Sequence, residues 1–362
     1  MSKFWSPFVE SLQPYVPGEQ PKEGEFIKLN SNESPFPAAP AVVEAIKAAA
    51  DGALQLYPAA ESDELRKVVA EYYGVQTDQV FVANGSDEAL GHAFNALFRH
   101  QGKKLVYPDL SYSFYPVYAR LYEVEVETIP VTEDYRINID DYCALDPAEV
   151  SSIIFPNPNA PTSVALALDE IERLLKAQPD ILVAVDEAYV DFGAETAIKL
   201  IQNYPNLIVF QTLSKSRSLA GLRVGFAFGQ AELMQALTRV KNSFNSYPLD
   251  RLAQAGAIAA FKADDYFQET RQKIIQWRDK LTTDLEALGF EVLPSSANFV
   301  FATHPQHEAE TLAQALREKK ILVRHFKIER CTPYLRITIG LAEECQALVD
   351  ALKDYLSSNG TN

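Results

Sequence analysis

The sequence predicts an α/β protein in which a larger unit on a mainly parallel sheet precedes a smaller α+β unit. Two observations lead there. From about residue 40 to 250 short apolar runs alternate with helical patterns, and from about 250 onward a long amphipathic helix gives way to short strands and two further helices. The first thirty residues, with Pro14, Pro17, Gly18, Pro21 and Gly24, read as an extended arm. The expected division is an arm over 1–30, the larger unit over 31–250 and the smaller unit over 251–362.

Taken in order, the strand candidates of the larger unit are the apolar runs at 80–83, 104–107, 152–155, 181–185, 207–210 and 224–228. Such runs, buried on both faces, belong to a sheet covered by helices on each side. A helix is expected over Asp264 to Leu288, stopped by Gly289. Beyond it, 297–301, 321–323 and 335–339 are the strands of the smaller unit. Ligands of open α/β sheets sit beyond the carboxyl ends of the strands, so the residues that follow each strand carry the functional signal.

Bulk properties narrow the function. The 362 residues are 47% apolar and 23% charged, an ordinary globular profile. A net charge of -16 with no basic run argues against nucleic-acid binding, so any anionic ligand must be drawn by a local arginine cluster. Cys143, Cys331 and Cys345 are too widely spaced for a metal knuckle and fit free thiols in a reducing compartment. The start has no signal-peptide pattern and no run is long enough to span a bilayer, so the cytoplasm is the expected location and no membrane partner is expected. The five histidines lack metal-ligand spacing, and neither G-x-S-x-G nor G-x-x-x-x-G-K occurs.

The richest stretch follows the strand at 207–210. Lys215 lies among Ser214, Ser216, Ser218, Arg217 and Arg223. An amine destined for covalent attachment to a phosphorylated cofactor needs hydroxyls and a guanidinium nearby to hold the phosphate. Asp186 closes the strand at 181–185. A carboxylate there is either a helix cap or the partner of a protonated ring nitrogen, with Tyr189 placed to donate to a phenolic oxygen. Asn157, between Pro156 and Pro158, is either held rigidly for ligand binding or part of a proline-rich turn. Asn84-Gly85-Ser86 joins a strand to a helix, an arrangement suited to a phosphate, although Asp87 and Glu88 equally complement the helix dipole. Tyr112 and Tyr115 are candidates to stack on an aromatic ring or to fill the core.

Together, Asn84-Gly-Ser-Asp-Glu88, Pro156-Asn-Pro-Asn-Ala-Pro-Thr162, Asp186-Glu-Ala-Tyr189 and Thr212-Leu-Ser-Lys…Gly-Leu-Arg-Val-Gly225 resemble class II aminotransferases of pyridoxal-phosphate fold type I. Leu29-Asn-Ser-Asn-Glu-Ser-Pro35, Tyr57-Pro58, Val323-Arg324 and Leu335-Arg-Ile-Thr-Ile-Gly340 resemble the histidinol-phosphate aminotransferase family, over essentially the whole chain. The resemblance implies pyridoxal 5'-phosphate, with Lys215 as its covalent anchor and catalytic base. It implies Asp186 at the ring nitrogen, Asn157 and Tyr189 at the phenolic oxygen, and Tyr112 on the ring. Gly85, Ser86, Ser214 and Arg223 would hold the phosphate, joined by Tyr57 from a second subunit of a homodimer with shared sites. Arg324 and Arg336 would grip the substrate anion, with Tyr15 and Asn32 closing over it.

The implied reaction exchanges an amino group between L-histidinol phosphate and 2-oxoglutarate, giving imidazole-acetol phosphate and glutamate. Threonine-phosphate decarboxylase and aromatic amino acid aminotransferases share the motifs and are the alternatives, and a regulator or scaffold on the same fold is a more distant one. Two departures from the family pattern bear on the substrate pocket. Ser34 stands in the usual Asn-Glu-Asn-Pro, and Asn159-Ala-Pro-Thr-Ser163 replaces Asn-Asn-Pro-Thr-Gly.

Overall fold

The computed structural model describes residues 2–15, 18–19, 25–50 and 53–359. Pro17, Pro21 and Gly24 of the expected arm lie outside the described residues. In chain order the strands are β1 (Ile27–Leu29), β2 (Val80–Ala83), β3 (Lys104–Pro108), β4 (Val126–Ile129), β5 (Val150–Pro156), β6 (Leu182–Asp186), β7 (Leu207–Thr212), β8 (Gly225–Gly229), β9 (Glu291–Val292), β10 (Phe299–Thr303), β11 (Ile321–His325) and β12 (Tyr334–Thr338).

Seven of them form one sheet in the order β2-β8-β7-β6-β5-β3-β4, parallel throughout except where β8 pairs antiparallel with β2 and β7. The apolar runs explain the central position of β6 and β7: Val183, Ala184, Val185 and Leu207 through Phe210 are fully enclosed, as strands covered on both faces must be. Because β8 reverses direction, β2 runs the same way as β7. The carboxyl ends of β2, β3, β5, β6 and β7 therefore open at one edge of the sheet, and the residues just before β8 arrive at that edge as well. Register fixes the rows: Ala83 and Thr212 both pair with Gly225, while Asp186 pairs with Pro156 and Phe210.

The second sheet has the order β1-β11-β12-β10-β9. It rests on the 24-residue helix Asp264–Ala287, which the sequence places to within a residue, and which Gly289 follows at φ 88°. Ile274, Leu281 and Leu285 of that helix pack with Val300, Leu335 and Ile337 of the sheet. Leu29 and Phe192 join this apolar cluster from distant parts of the chain.

Three strands carry weak sequence signals. The edge strand β4 is largely solvent-facing, so it never forms an apolar run. β9 is only two residues long. β1 corrects the expectation of a purely extended arm: Ile27–Leu29 pairs in parallel with Ile321–Val323, and Leu29 is buried. The arm also carries a short helix, Pro7–Ser11, capped by Ser6. Hydrogen bonds to a sheet edge and burial of one leucine outweigh the proline and glycine content around them.

Candidate active site

Where the strand ends meet, a cavity of about 480 Å³ faces the second sheet. Its floor includes Ser86, Asp87, Tyr112, Pro156, Asp186, Tyr189, Ser214, Lys215 and Arg223, and its opposite wall includes Tyr15, Asn32, Arg324, Phe326 and Arg336. The chain thus gathers twelve of the fourteen sequence-predicted site residues at or beside one space: the ten just named other than Pro156, Asp87, Tyr189 and Phe326, with Tyr189 itself and Gly85 alongside Ser86.

Asp186 ends β6 and is 5% exposed. Its Oδ2 accepts from the Tyr115 hydroxyl at 3.1 Å and its Oδ1 from the Ala188 N–H at 3.2 Å. Burial pushes its carboxyl up to about 6, with the two hydrogen bonds opposing that rise. A buried carboxylate facing a cavity with only two donors is suited to a cationic partner. Tyr115, left open between ring stacking and core by the sequence, is fully buried and serves as the support of Asp186.

Next to it, Lys215 follows β7 with its Nζ 5.8 Å from the centre of the Tyr189 ring. Arg217, two residues on, turns away into an aromatic box of Tyr72, Phe261 and Phe267 and donates to the Ala260 carbonyl at 2.7 Å. Ser216 is likewise turned from the cavity, bonded to Asp191. The turn carrying Lys215 is therefore anchored on its far side.

The cradle expected at Gly85-Ser86 is built by close approach. A Cβ on Gly225 would lie 2.2 Å from the Ser86 nitrogen, and Gly85, at φ 83°, has Arg223 Nη2 where its own Cβ would be, 2.5 Å away. Arg223 itself donates to Ser214 Oγ at 3.4 Å, the Ala220 carbonyl at 3.2 Å and Asp87 Oδ2 at 3.1 Å. Asp87 also accepts from the Tyr112 hydroxyl at 3.0 Å. Sequence reasoning treated Asp87 only as a helix-start acid; nothing in its spacing distinguishes that role from orienting both Arg223 and Tyr112. Glu88 is the residue that does cap the turn, accepting from the Asn84 N–H at 2.6 Å.

Asn157 sits behind the cavity. It is fully buried, and its amide is closed on the backbone of Leu166, accepting from the N–H at 2.8 Å and donating to the carbonyl at 3.3 Å. It does not line the cavity; Ala160 and Pro161 of the same loop do. The amide flanked by Pro156 and Pro158 is thus held rigidly, with its loop closed on Leu166. The altered motif has a second consequence: Ser163 occupies the left-handed region at φ 68°, the conformation that favours glycine.

On the opposite wall, Asn32 is tied to both sheets. It is buried, at φ 55°, and its amide donates to the Tyr189 hydroxyl at 2.9 Å while accepting from Thr338 Oγ1 at 3.0 Å. Tyr15 leans on Phe114 with ring centres 5.0 Å apart. Arg324 and Arg336 are register partners across β11 and β12. Arg336 donates to the Asn30 carbonyl at 3.0 Å, and its enclosed Nε has no hydrogen-bond partner. Burial, and then the adjacent Arg324 charge, depress its pKa. Neither arginine has a carboxylate within ion-pair distance among the described residues, so two like charges lie opposite one another at the cavity wall. Besides Asn157, Tyr57 stands apart: it is 78% exposed and stacked on Tyr247, away from the cavity.

This donor set fits a phosphorylated aromatic cofactor: a backbone cradle that only glycine permits, an arginine and two serines beside it, and a buried carboxylate and an amine further along the same edge. Comparison with known proteins gives the same answer. A sequence model of the aminotransferase class I and II family matches residues 24–352. A histidinol-phosphate aminotransferase from Bordetella parapertussis is 58% identical over 99% of this chain and all of its own length. The histidinol-phosphate aminotransferase of Sinorhizobium meliloti, solved in complex with pyridoxal-5'-phosphate, superposes with a TM-score of 0.88 at 25% identity, covering 99% of both chains. An L-threonine-O-3-phosphate decarboxylase from Porphyromonas gingivalis shares the fold at a TM-score of 0.79 and 23% identity, covering 91% of this chain and 99% of its own. Whole-length identity at that level, on a cavity with this chemistry, places the chain in the class I and II aminotransferases and, within them, in the histidinol-phosphate aminotransferase family.

Proposed function

We propose that the protein transfers the amino group of L-histidinol phosphate to 2-oxoglutarate, reversibly forming imidazole-acetol phosphate and L-glutamate as a step of histidine biosynthesis. The observation that carries this reading is the Arg324–Arg336 pair, two cations without carboxylate partners among the described residues, on the wall facing Lys215. A guanidinium fork accepts a phosphate or a carboxylate, so the same pair serves both half-reactions.

Bound pyridoxal 5'-phosphate supplies an electron sink for the charge released when the substrate carbon loses its proton. Gly85, Ser86, Ser214 and Arg223 would hold its phosphate, Tyr112 its ring face, Tyr189 its phenolic oxygen and Asp186 its ring nitrogen. Asp186 keeps that nitrogen protonated, and the Tyr115 hydroxyl holds the carboxylate in place. Lys215 Nζ would take the proton from the substrate carbon as base and then, as acid, deliver it to the cofactor carbon to which the lysine had been attached rather than back to the substrate. Asn32 orients the Tyr189 hydroxyl. Arg324 and Arg336 fix the substrate's anionic end, leaving its amine toward Lys215.

The same reading places the protein in the cytoplasm as a homodimer in which Tyr57 of the partner subunit completes the phosphate site. The exposed Leu54, Leu56, Tyr57, Phe244 and Tyr247 support a covered face in that region. No helix among the described residues is long and apolar enough to cross a membrane. It also divides the chain into an arm (1–30), a cofactor-binding domain (31–250) and a smaller domain (251–362), with β1 tying the arm to the last.

Purified protein with histidinol phosphate and 2-oxoglutarate should form glutamate and the keto phosphate in equal amounts. Release of carbon dioxide from threonine phosphate, without glutamate formation, would instead establish the decarboxylase. Preference for phenylalanine or tyrosine over histidinol phosphate would establish the aromatic enzyme.

A further inference from the structure

The loop joining β11 to β12, residues 326–333, forms part of the cavity wall through Phe326, Ile328 and Cys331. Phe326 lies between the two arginines, its ring centre 5.3 Å from the Arg324 guanidinium carbon and 5.2 Å from that of Arg336. The loop belongs to the five-stranded sheet, yet its tip is fastened to the other one. Arg330 reaches across and donates to the Val131 carbonyl at 2.8 Å and the Thr132 carbonyl at 2.6 Å, just past the edge strand β4. Its guanidinium also lies 5.1 Å from the centre of the Tyr135 ring. The fastening is reciprocal, because the Tyr135 hydroxyl donates to the Arg330 carbonyl at 3.0 Å. Asp109 at the end of β3 backs the arrangement, accepting from the Val131 N–H at 2.9 Å and standing 3.7 Å from Arg330.

Such a double clasp fixes a loop whose other ties include the bonds from Cys331 and Thr332 to the Ile328 carbonyl, the contact of the His325 ring with the Thr332 carbonyl, and a solvent-exposed Lys327–Glu310 ion pair that contributes little. We propose that Arg330 is a positioning residue for anion recognition: by gripping the Val131 and Thr132 carbonyls it holds Phe326 against Arg324 and Arg336, so that both guanidiniums are aimed into the cavity. This rests on the reading of that pair as the substrate-anion site. Arg330 touches neither reacting atoms nor cofactor groups. Its loss therefore weakens substrate capture while leaving the proton transfer by Lys215 intact.

Steady-state kinetics of the holoenzyme separate these effects. Arg330→Ala should raise the KM for histidinol phosphate about tenfold, the equivalent of one charge-assisted hydrogen bond, with kcat changed by less than about threefold. Arg330→Lys should recover part of the loss, since an ammonium reaches one of the two carbonyls. Tyr135→Phe, which removes only the reciprocal bond, should raise KM about two- to threefold and tests the clasp even if Arg330→Ala folds poorly. An unchanged KM in Arg330→Ala and Tyr135→Phe, or a loss confined to kcat, overturns the proposal. Native trypsin digestion gives a second readout independent of substrate. Cleavage after the exposed Lys327 should accelerate in Arg330→Ala, and an unchanged rate contradicts the clasp. If the wild-type protein fails to turn over histidinol phosphate, the functional reading falls, and the digestion alone decides whether Arg330 holds the loop.

Discussion

The two walls of the cavity hold their charges in opposite ways. At the edge of the seven-stranded sheet each charged group but Lys215 is bonded before any ligand arrives: Arg223 to Asp87 and Ser214, Asp186 to Tyr115 and the Ala188 N–H. On the facing sheet Arg324 and Arg336 lie opposite one another with a phenyl ring and a carbonyl for company. Charges that are already satisfied set geometry, whereas charges left uncompensated select what binds. In the function proposed above, the first wall carries the reaction and the second chooses the substrate.

The largest effect that sharpens this contrast is Lys215→Ala. Turnover should fall by about 10³-fold or more, the scale of a lost acid–base group, while the cofactor remains bound through its phosphate and ring contacts. Borohydride reduction of the wild type should place the cofactor on the Lys215 peptide. A protein that takes up no pyridoxal phosphate breaks the account of this wall altogether. Arg336→Ala comes next. Truncating one member of a buried charged contact costs about 2–5 kcal/mol, or roughly 30-fold and upward in affinity, and both histidinol phosphate and 2-oxoglutarate should suffer. An effect on one substrate alone would mean the pair does not serve both half-reactions.

How far these walls were legible in the sequence follows from what fixes them. Lys215, Asp186 and Arg223 were readable because strand ends position them, and apolar runs mark strand ends. Arg324 and Arg336 were readable as a pair through the motifs that resemble the family, with Arg336 on the strand candidate 335–339 and Arg324 directly after the one at 321–323. The orientation of an amide was not: Asn157, framed by prolines, closes a loop on Leu166, a choice made by backbone groups nine residues away. Asp87 and Tyr115 were read as a helix-start acid and a possible core ring because their partners, Arg223 and Asp186, are remote in the chain. β1 was hidden in a segment whose composition reads as arm, since only the edge of β11 makes it a strand.

Smaller effects test the sheet-edge wall and its completion from a second subunit. A methyl group on Gly85 would meet Arg223 at 2.5 Å, so Gly85→Ala should weaken cofactor binding about tenfold, measured by titration of the cofactor-free protein. Mixing Lys215→Ala with Tyr57→Phe chains should restore part of the activity through hybrid dimers, provided Tyr57→Phe is itself impaired. A fully active monomer contradicts the shared site.

The smallest effect concerns pH. Burial holds Asp186 up at about 6, above its ordinary carboxyl value, so the folded cofactor-free chain keeps a proton that the unfolded chain has released. The stability this contributes is fully present below the unfolded value, near 4, and is lost as pH rises through about 6. Asp186→Asn, which cannot ionise, should therefore match the cofactor-free wild type at low pH and exceed its Tm by a few degrees at pH 7, while abolishing turnover. Parallel Tm profiles for the two would mean that Asp186 is not strained by its burial.

Substrate choice by the arginine wall is tested most directly by the ratio of kcat/KM for histidinol phosphate to that for histidinol, in wild type and in Arg324→Ala. The account predicts a high ratio in the wild type that collapses by about 30-fold or more in the variant, almost entirely through the phosphorylated substrate. A ratio that Arg324→Ala leaves unchanged would contradict it and move phosphate recognition elsewhere in the cavity.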